Sequence, residues 1–303
     1  VYEDFGKDIL AINGVVGYKT SSERFAGALS TLTMEQMMPD GKALQSCTSH
    51  DLGQNFAKAF NTSFTDKKGK SNFVWQTSWG LSTRMLGALI MSHSDDDGLV
   101  LPPKIAPIKV VIIPIYKTDD QEDLVLKECN KIKEELINNL EFNSYNQEIK
   151  IDERDWLSFG EKSFEWEKKG VPVRIEIGER DINNKKVVVV RRDTKEKVVI
   201  DRDNLLDKVK GTLETMQKDM YNKSNKLLED STVEVKTKED LFKHFTNKSG
   251  FVKCYVIENE DLEKELQNKF SVSPRCVVME DKEGTCVITG KQCSTVIYFA
   301  KSY

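Results

Sequence analysis

The stretch from Asn72 to Arg84 constrains the fold more than any other part of the sequence. Its larger residues recur at every second position up to Trp79, which predicts a half-buried strand, and Gly80 lets a ligand approach the backbone. Apolar residues at helical spacing follow, so Arg84 falls in the first turn of a predicted helix. A cation there is disfavoured by the helix dipole unless it has a negative partner. The turn therefore predicts an anion site, with an ion pair between Arg84 and a neighbouring carboxylate as the alternative.

Four further motifs occur in a fixed order around this turn. They read RFAGA at residues 24–28, MMPDGKALQ at 37–45, TSHDLGQNF at 48–56 and GLVLPP at 98–103. Together with Trp79 to Arg84, which resembles motif 3 of class II aminoacyl-tRNA synthetases, they resemble the prolyl-tRNA synthetase family of the archaeal and eukaryotic type. The family's motifs 1 and 2 have no counterpart in this sequence, and Val1 is not a start methionine. We therefore expect a C-terminal fragment of a longer chain, inactive in isolation.

The resemblance implies roles for single residues of the catalytic half. The residues expected to contact ATP are Gln45, Thr48, Ser82 and Arg84, and Arg84 is also the expected catalytic residue. The residues expected to line the proline pocket are His50, Ser78, Trp79 and Gly80. An aromatic wall suits the small, rigid and apolar ring of proline. The alternatives are that His50 caps the helix after it and that Trp79 is ordinary core.

Three domains are predicted along the chain. Residues 1–105 are the C-terminal half of a class II catalytic domain with an antiparallel sheet, residues 106–212 an anticodon-binding domain, and residues 213–303 a small α+β C-terminal domain. Strand and helix patterns alternate in the middle segment, which predicts an α/β domain with a mixed sheet. The predicted fold class is thus α/β and α+β, in several domains. Within the first segment, Asn13-Gly14 predicts a β-hairpin and residues 21–38 a helix.

Four polar residues of the middle domain are expected to bind the anticodon. The resemblance lies in the runs FEWE at 164–167 and GVPVRIEIGERD at 170–181, and the implied residues are Glu167, Arg174, Arg180 and Asp181. Arginine offers donors to guanine, and carboxylates accept from base amino and imino groups, so these residue types suit bases that are splayed out of an RNA loop. The alternative is a solvated ladder of salt bridges.

The cysteines of the last segment decide the zinc prediction. Members of the family often bind zinc through a Cys-x4-Cys and a Cys-x2-Cys pair. In this chain Cys254 and Cys286 match the first members, but the second members are Asn259 and Thr289, so we expect no metal site. The 6 cysteines, with no signal peptide and no run apolar enough for a membrane span, indicate a reducing, cytoplasmic setting without a membrane. The terminal Tyr303 is expected to fold back toward the active site.

The resemblance implies that the intact protein ligates L-proline to tRNA(Pro) through prolyl-adenylate, using ATP and Mg²⁺, as a homodimer. The net charge of -4 neither indicates nor excludes RNA binding, because a local basic face is sufficient. Two alternatives stay open. One is a threonyl-, glycyl- or histidyl-tRNA synthetase, since these share the anticodon-binding architecture. The other is a non-catalytic tRNA-binding or regulatory protein built from synthetase parts.

Overall fold

The computed structural model of the chain describes residues 1–140 and 148–303. The chain divides into two compact units. The first contains residues 1–7, 12–92 and 223–303, and the second contains residues 8–11 and 93–222. The first unit thus combines the two ends of the sequence, whereas the three-domain division stays a prediction. Within the described ranges, no helix has both the length and the apolar surface that crossing a membrane requires.

The helices and strands follow one another along three successive parts of the chain. The first part contains α1 (Tyr2–Asp4), a π-helical turn (Phe5–Ile9), β1 (Val15–Tyr18), β2 (Ser30–Met37), β3 (Ala43–Gly53), α2 (Asn55–Ala59), β4 (Ser63–Thr65), β5 (Ser71–Phe73), β6 (Gln76–Leu81) and α3 (Arg84–His93). The middle part contains β7 (Val110–Ile115), α4 (Asp119–Asn139), β8 (Ile149–Ile151), α5 (Phe159–Lys168), β9 (Val173–Gly178), α6 (Glu179–Asn183), β10 (Lys186–Arg191), β11 (Lys197–Asp201) and a 3-10 turn (Arg202–Asn204). The last part contains α7 (Leu205–Asp230), β12 (Thr232–Glu234), α8 (Lys238–Asn247), β13 (Phe251–Tyr255), α9 (Glu260–Phe270), β14 (Val272–Thr285) and β15 (Gln292–Lys301).

The first unit is built on an eight-stranded sheet in the order β12-β13-β15-β14-β1-β2-β3-β6. Its neighbouring strands are antiparallel except for the parallel pair β12 and β13. Strand β1 pairs with β2 on one side and with β14 on the other, where Tyr18 lies opposite Val277. Strands from both ends of the sequence therefore form one continuous sheet, and β6 is its edge strand.

Two predictions near the N-terminus are wrong. The residues before Asn13 are not a strand, because Ala11 is buried against Val100 and α7 and the Asn13 amide donates to Ser224 Oγ at 3.0 Å. The predicted helix over residues 21–38 is not formed, because residues 21–29 lie in turns and bends and residues 30–37 form strand β2. Its backbone pairs with β1 on one side and β3 on the other, and such tertiary pairing outweighs a weak helical pattern.

The second unit has a five-stranded sheet in the order β11-β10-β9-β7-β8. Strands β8, β7 and β9 are parallel, and β10 and β11 are antiparallel, so the predicted mixed sheet and the α/β class are confirmed. Helix α4 begins after the capping residue Thr118, whose side chain accepts from the Gln121 amide. Its apolar residues recur at helical spacing, and it buries a stripe of them that consists of Val125, Cys129, Ile132 and Leu136, while Leu140 at its C-cap is partly buried.

The two faces of this sheet are covered differently. Val173, Ile175 and Ile177 of β9 pack into the large core on the side of α4 and α7. On the other side, Trp166 of α5 packs against Val111 of β7. Because side chains alternate along a strand, the residues of β9 between its three core positions face the side on which α5 lies. This positions Arg174 near the C-terminal end of α5.

Candidate functional site

The register of β2, β3 and β6 brings the predicted ATP and proline residues onto one face of the first sheet. Thr48 lies opposite Gly80, and His50 lies opposite Ser78. On the other side of β3, Gln45 pairs with Glu35 of β2 across an irregularity that lets it share the face of Thr48. Directly opposite residues of an antiparallel pair point to the same side. Five of the predicted contacts, at positions 45, 48, 50, 78 and 80, thus share one surface.

His50 is held rigidly at the centre of this surface. Its Nδ1 lies 2.9 Å from Thr31 Oγ1, and its Nε2 lies 3.1 Å from Thr48 Oγ1. The ring of Phe25 stacks at a tilt on the imidazole, with 4.9 Å between ring centroids. Burial lowers the pKa of His50, which favours the neutral ring near pH 7. His50 is part of β3 and does not cap α2, whose N-cap is Gln54, so the capping alternative is wrong.

Phe25 and Thr31 both contact His50, and neither was among the residues predicted from the sequence. Phe25 lies within the RFAGA run, but no spacing rule relates it to His50. Thr31 comes to His50 only through the pairing of β2 with β3. The motif itself was the only signal that could have indicated Phe25.

Arg84 is the first residue of α3, as predicted. Its Nη1 donates to the carbonyl oxygen of Gln45 at 3.2 Å, and its amide donates to Ser82 Oγ at 3.3 Å. No carboxylate of the described residues lies within 4.0 Å of its guanidinium, so the ion-pair alternative finds no support there. At Gly80, a Cβ atom would meet no other atom of the described chain within 4 Å. The strand-to-helix turn is therefore open to an incoming group, and Arg84 has unused donors beside it.

Trp79 lies on the opposite face from His50. It pairs with Ser49, and together with Cys47 and Met34 it lines a separate cavity of about 340 Å³. The expectation that Trp79 shares a pocket with Ser78, Gly80 and His50 is therefore not met, although its indole is 66% exposed. Alternation along β6 is the reason, because three consecutive residues of a strand cannot all face one side. The alternating pattern in the sequence already contained this signal.

Glu167 and Arg174 come together at the C-terminal end of α5. Arg174 Nη1 lies 4.0 Å from Glu167 Oε2, and Arg174 Nε donates to Glu176 Oε1 at 3.1 Å. Lys197 Nζ lies 2.6 Å from the other Glu176 oxygen. This arrangement contains the salt-bridge ladder that was the alternative to RNA binding. Both side chains stay partly exposed, at 16% for Arg174 and 25% for Glu167.

Arg180 and Asp181 lie at the other end of β9, in α6. Gly178 lies four positions after Arg174 along the strand, which is roughly 13 Å at about 3.3 Å per residue. Asp181 Oδ2 accepts from the Gly178 amide at 3.0 Å and so stabilises the first turn of α6. Arg180 is exposed. The four predicted anticodon residues therefore form two pairs at opposite ends of one strand.

The cysteines of the last part form a cluster that excludes Cys276. Cys254, Cys286 and Cys293 are close enough to influence one another's ionisation, whereas Cys276 lies near Glu35 and Lys19. Burial raises the pKa of Cys286, but hydrogen bonds from Thr289 and backbone amides outweigh it and lower the pKa. Asn259 stands at the position of a second cysteine of the family's zinc site, and its side chain caps α9 by accepting from the Leu262 amide. Over residues 1–140 and 148–303, no group of three or more His, Cys, Asp or Glu is placed to bind a metal ion.

Tyr303 is attached to the turn between β2 and β3. Its amide donates to the Ala43 carbonyl at 3.3 Å, and the ammonium of Lys42 lies 4.9 Å from the centroid of its ring. A hydrogen bond with Asp40, together with burial, raises the pKa of Tyr303 to about 12. Ala43 is two residues from Gln45, so the C-terminus lies at the start of the strand that carries the predicted ATP contacts.

Comparison with known proteins finds two matching families and several similar proteins. The family described as anticodon binding domain matches residues 109–212, and the family described as prolyl-tRNA synthetase, C-terminal, matches residues 239–303. Proteins named proline--tRNA ligase from Amoebophilus asiaticus, Flavobacterium johnsoniae and Roseiflexus sp. are 42%, 43% and 41% identical to the chain. Each match covers 100% of this chain, which spans 61%, 61% and 62% of the length of these relatives.

An anticodon-binding domain is a feature of aminoacyl-tRNA synthetases, and this is the class of protein that the chain resembles. The C-terminal family model and the identity along the whole chain specify which one. The chain is similar over its whole length to members of the prolyl-tRNA synthetase family, and it spans about 61% of theirs.

Proposed function

We propose that the protein containing this chain ligates L-proline to tRNA(Pro) by way of prolyl-adenylate. The observation that carries the proposal is the shared face of β3 and β6, which combines polar groups for a nucleotide with an imidazole, that of His50, in contact with two threonine hydroxyls. The relatives named proline--tRNA ligase support it. Cytoplasmic location and a homodimeric intact enzyme are part of the same proposal.

Adenylate formation needs charge neutralisation more than acid or base chemistry. A carboxylate oxygen of proline attacks the α-phosphorus of ATP, and the bond between that phosphorus and the bridging oxygen breaks, releasing pyrophosphate. Arg84 would neutralise phosphate charge with the donors that its bond to Gln45 leaves free. Thr48 and the Gln45 side chain, on the same face, would orient the nucleotide. Ser82, whose hydroxyl accepts from the Arg84 amide, would set the position of Arg84 and present its hydroxyl to ATP.

Mg²⁺ enters the proposal with the phosphates of ATP. The Glu35 carboxylate, on the same face as Gln45, is already bonded to Lys19 and Arg275. Within residues 1–140 and 148–303 no group of three or more His, Cys, Asp or Glu is placed to hold a metal ion, so no step is assigned to a protein-bound ion.

The pocket for proline would be formed by His50, Ser78 and Gly80, with the Phe25 ring beside the imidazole. A neutral imidazole and an aromatic ring present an apolar surface of fixed shape to the pyrrolidine ring. Trp79 would not contact proline directly, because it lies on the opposite face of the strand that carries Ser78.

For the anticodon, we propose that Glu167 with Arg174 contacts one base and Arg180 with Asp181 another. Proline codons are CCN, so the matching anticodons contain two guanines. Arginine donors fit the acceptors of guanine, and a carboxylate fits its imino and amino groups. The separation of the two pairs by the length of β9 suits two bases that are splayed apart rather than stacked.

Amino-acid-dependent exchange of pyrophosphate into ATP tests the proposal. The intact enzyme should exchange with proline and not with threonine, glycine or histidine, and the isolated chain should show no exchange. Exchange that depends on one of the other amino acids would support the synthetase alternative. If the intact protein shows no pyrophosphate exchange with any of these amino acids but still binds tRNA, the result would support a non-catalytic tRNA-binding protein.

A further inference from the structure

Residues 95–99 lie in direct contact with the C-terminal end of α5, the helix that carries Glu167. The Leu99 amide donates to the Lys168 carbonyl at 3.0 Å. A Cβ atom on Gly98 would lie 2.6 Å from Lys168 Cα, and one on Gly170 would lie 2.7 Å from the Leu99 carbonyl oxygen. Both glycines have a positive φ, at 136° and 74°. The two backbones therefore touch where only glycine fits on either side.

Arg192, the residue after β10, joins these segments. Its Nε donates to the Glu167 carbonyl oxygen at 2.9 Å, and its Nη1 and Nη2 donate to the two Asp95 carboxylate oxygens at 2.8 and 2.6 Å. Its own amide donates to the Pro172 carbonyl at 2.9 Å. The Arg192 side chain is 3% exposed. A guanidinium at a helix C-terminus is favoured by the helix dipole, and a bidentate pair fixes its orientation.

The last turn of a helix frays when its carbonyl groups lack partners. In α5 the carbonyls of Glu167 and Lys168 both have partners from outside the helix, namely Arg192 and Leu99. The Glu167 carboxylate is 4.0 Å from Arg174, which belongs to the next strand, so a shift of the helix end would separate the two. The position of the Glu167 backbone thus determines whether the side chains of Glu167 and Arg174 can contact the same base.

We propose that Arg192 is a positioning residue for base recognition, which holds Glu167 beside Arg174 by binding the Glu167 carbonyl and the Asp95 carboxylate together. The inference rests on the proposed function, in which Glu167 and Arg174 contact an anticodon base. Arg192 is buried and does not contact RNA itself. Most affinity for RNA comes from phosphate contacts, whereas base contacts supply discrimination. Loss of Arg192 should therefore reduce discrimination more than it reduces affinity.

The test measures binding of two RNA hairpins to the 303-residue chain by fluorescence anisotropy. One is an anticodon stem-loop of tRNA(Pro), and in the other both anticodon guanines are replaced by adenines. Discrimination is the Kd for the adenine-substituted hairpin divided by the Kd for the tRNA(Pro) hairpin. Arg192→Met should lower this ratio about tenfold, since a good bidentate base contact is worth roughly that much discrimination. Arg192→Lys, which keeps the charge but not the paired geometry, should give an intermediate ratio.

Arg191→Met is the matched control. Arg191 precedes Arg192, has an 11% exposed side chain and pairs with Asp193 and Asp219 at 2.6 and 2.7 Å, without a bond to α5 among the described residues. Its loss should leave the ratio of Kd values unchanged. Equal loss of discrimination in both methionine variants would mean a general structural effect and would overturn the inference. If Arg192→Met does not fold, an unchanged ratio in Arg192→Lys has the same consequence.

A Glu167→Gln variant separates the inference from the proposal beneath it. If this variant keeps the wild-type ratio of Kd values, the proposal that Glu167 recognises a base is wrong. The proposed positioning role of Arg192 is then wrong as well, because it depends on Glu167. If Glu167→Gln loses discrimination while Arg192→Met keeps it, the proposed function stands and the positioning role of Arg192 is wrong. Loss of discrimination in both variants, with the Arg191 control intact, supports the inference.

Discussion

Replacing Glu35 should destabilise the first unit more than replacing either of its partners. Its carboxylate is 0% exposed and lies 2.8 Å from Lys19 Nζ and 2.9 Å from Arg275 Nη2. Those two side chains are 2% and 7% exposed. One carboxylate therefore compensates two buried cations where β1, β2 and β14 meet. Glu35→Gln keeps the shape of the side chain but leaves both cations facing a neutral amide.

The magnitude follows from the energetics of broken buried pairs. Removing one partner of a buried ion pair costs about 3 to 5 kcal/mol, and Glu35→Gln should lie at the upper end because it removes the partner of two charges. Arg275→Met should cost at most about 3 kcal/mol, since Lys19 and Glu35 remain a balanced pair. The solvent-exposed pair Lys264 and Glu260 is the control, and Lys264→Met should cost no more than about 1 kcal/mol.

Hydrogen exchange measured by mass spectrometry suits a chain with two units, because a single unfolding midpoint would mix their transitions. Peptides from β2 and β14 should lose most protection in Glu35→Gln, less in Arg275→Met and little in Lys264→Met. The central role of Glu35 would be refuted if Glu35→Gln lost no more protection than Lys264→Met, or less than Arg275→Met.

Three further predictions concern single contacts. Phe25→Ala should raise the KM for proline about tenfold in the intact enzyme with little change in kcat, because binding area beside His50 is lost; pyrophosphate exchange at varied proline concentration measures this. Burial raises the pKa of Asp152, but hydrogen bonds from Arg154 and Trp166 outweigh it and lower the pKa to about 2. The resulting stability is present above about pH 4 and is lost as the pH falls toward 2, so Asp152→Asn should remove about 2 kcal/mol at pH 7 and almost none at about pH 2, as hydrogen exchange of peptides from the second unit at both pH values can show. Asp40→Asn should lower the pKa of one tyrosine from about 12, because Tyr303 loses its acceptor, and an ultraviolet titration compared with wild type detects this change.

The second unit could be predicted from the sequence because its signals are local. The capping residue Thr118, the buried stripe of α4 and the continuous apolar strand β7 each specify an element without knowledge of distant residues. The mixed sheet then follows from the alternation of strands and helices. What the sequence did not indicate is the contact of Arg192 with Asp95 and Glu167, since it joins three segments far apart in the chain.

The first unit was harder to predict, because its sheet is assembled from non-local pairs. The pairing of β1 with β14 joins residues more than half the chain apart, and β2 was mistaken for a helix since its partners were unknown. The side of the sheet on which each site residue lies likewise depends on the register in which these strands pair. Trp79 is the exception, because alternation with Ser78 and Gly80 already determines its face.

The most direct test of the proposed proline pocket compares two neighbouring residues of β6 in the intact enzyme. Ser78 shares the face of His50, where proline would bind, and Trp79 packs on the reverse side. Steady-state pyrophosphate exchange should show the KM for proline raised by at least about tenfold in Ser78→Trp and by no more than about threefold in Trp79→Ala. A large rise in Trp79→Ala with little change in Ser78→Trp would contradict this placement of the pocket.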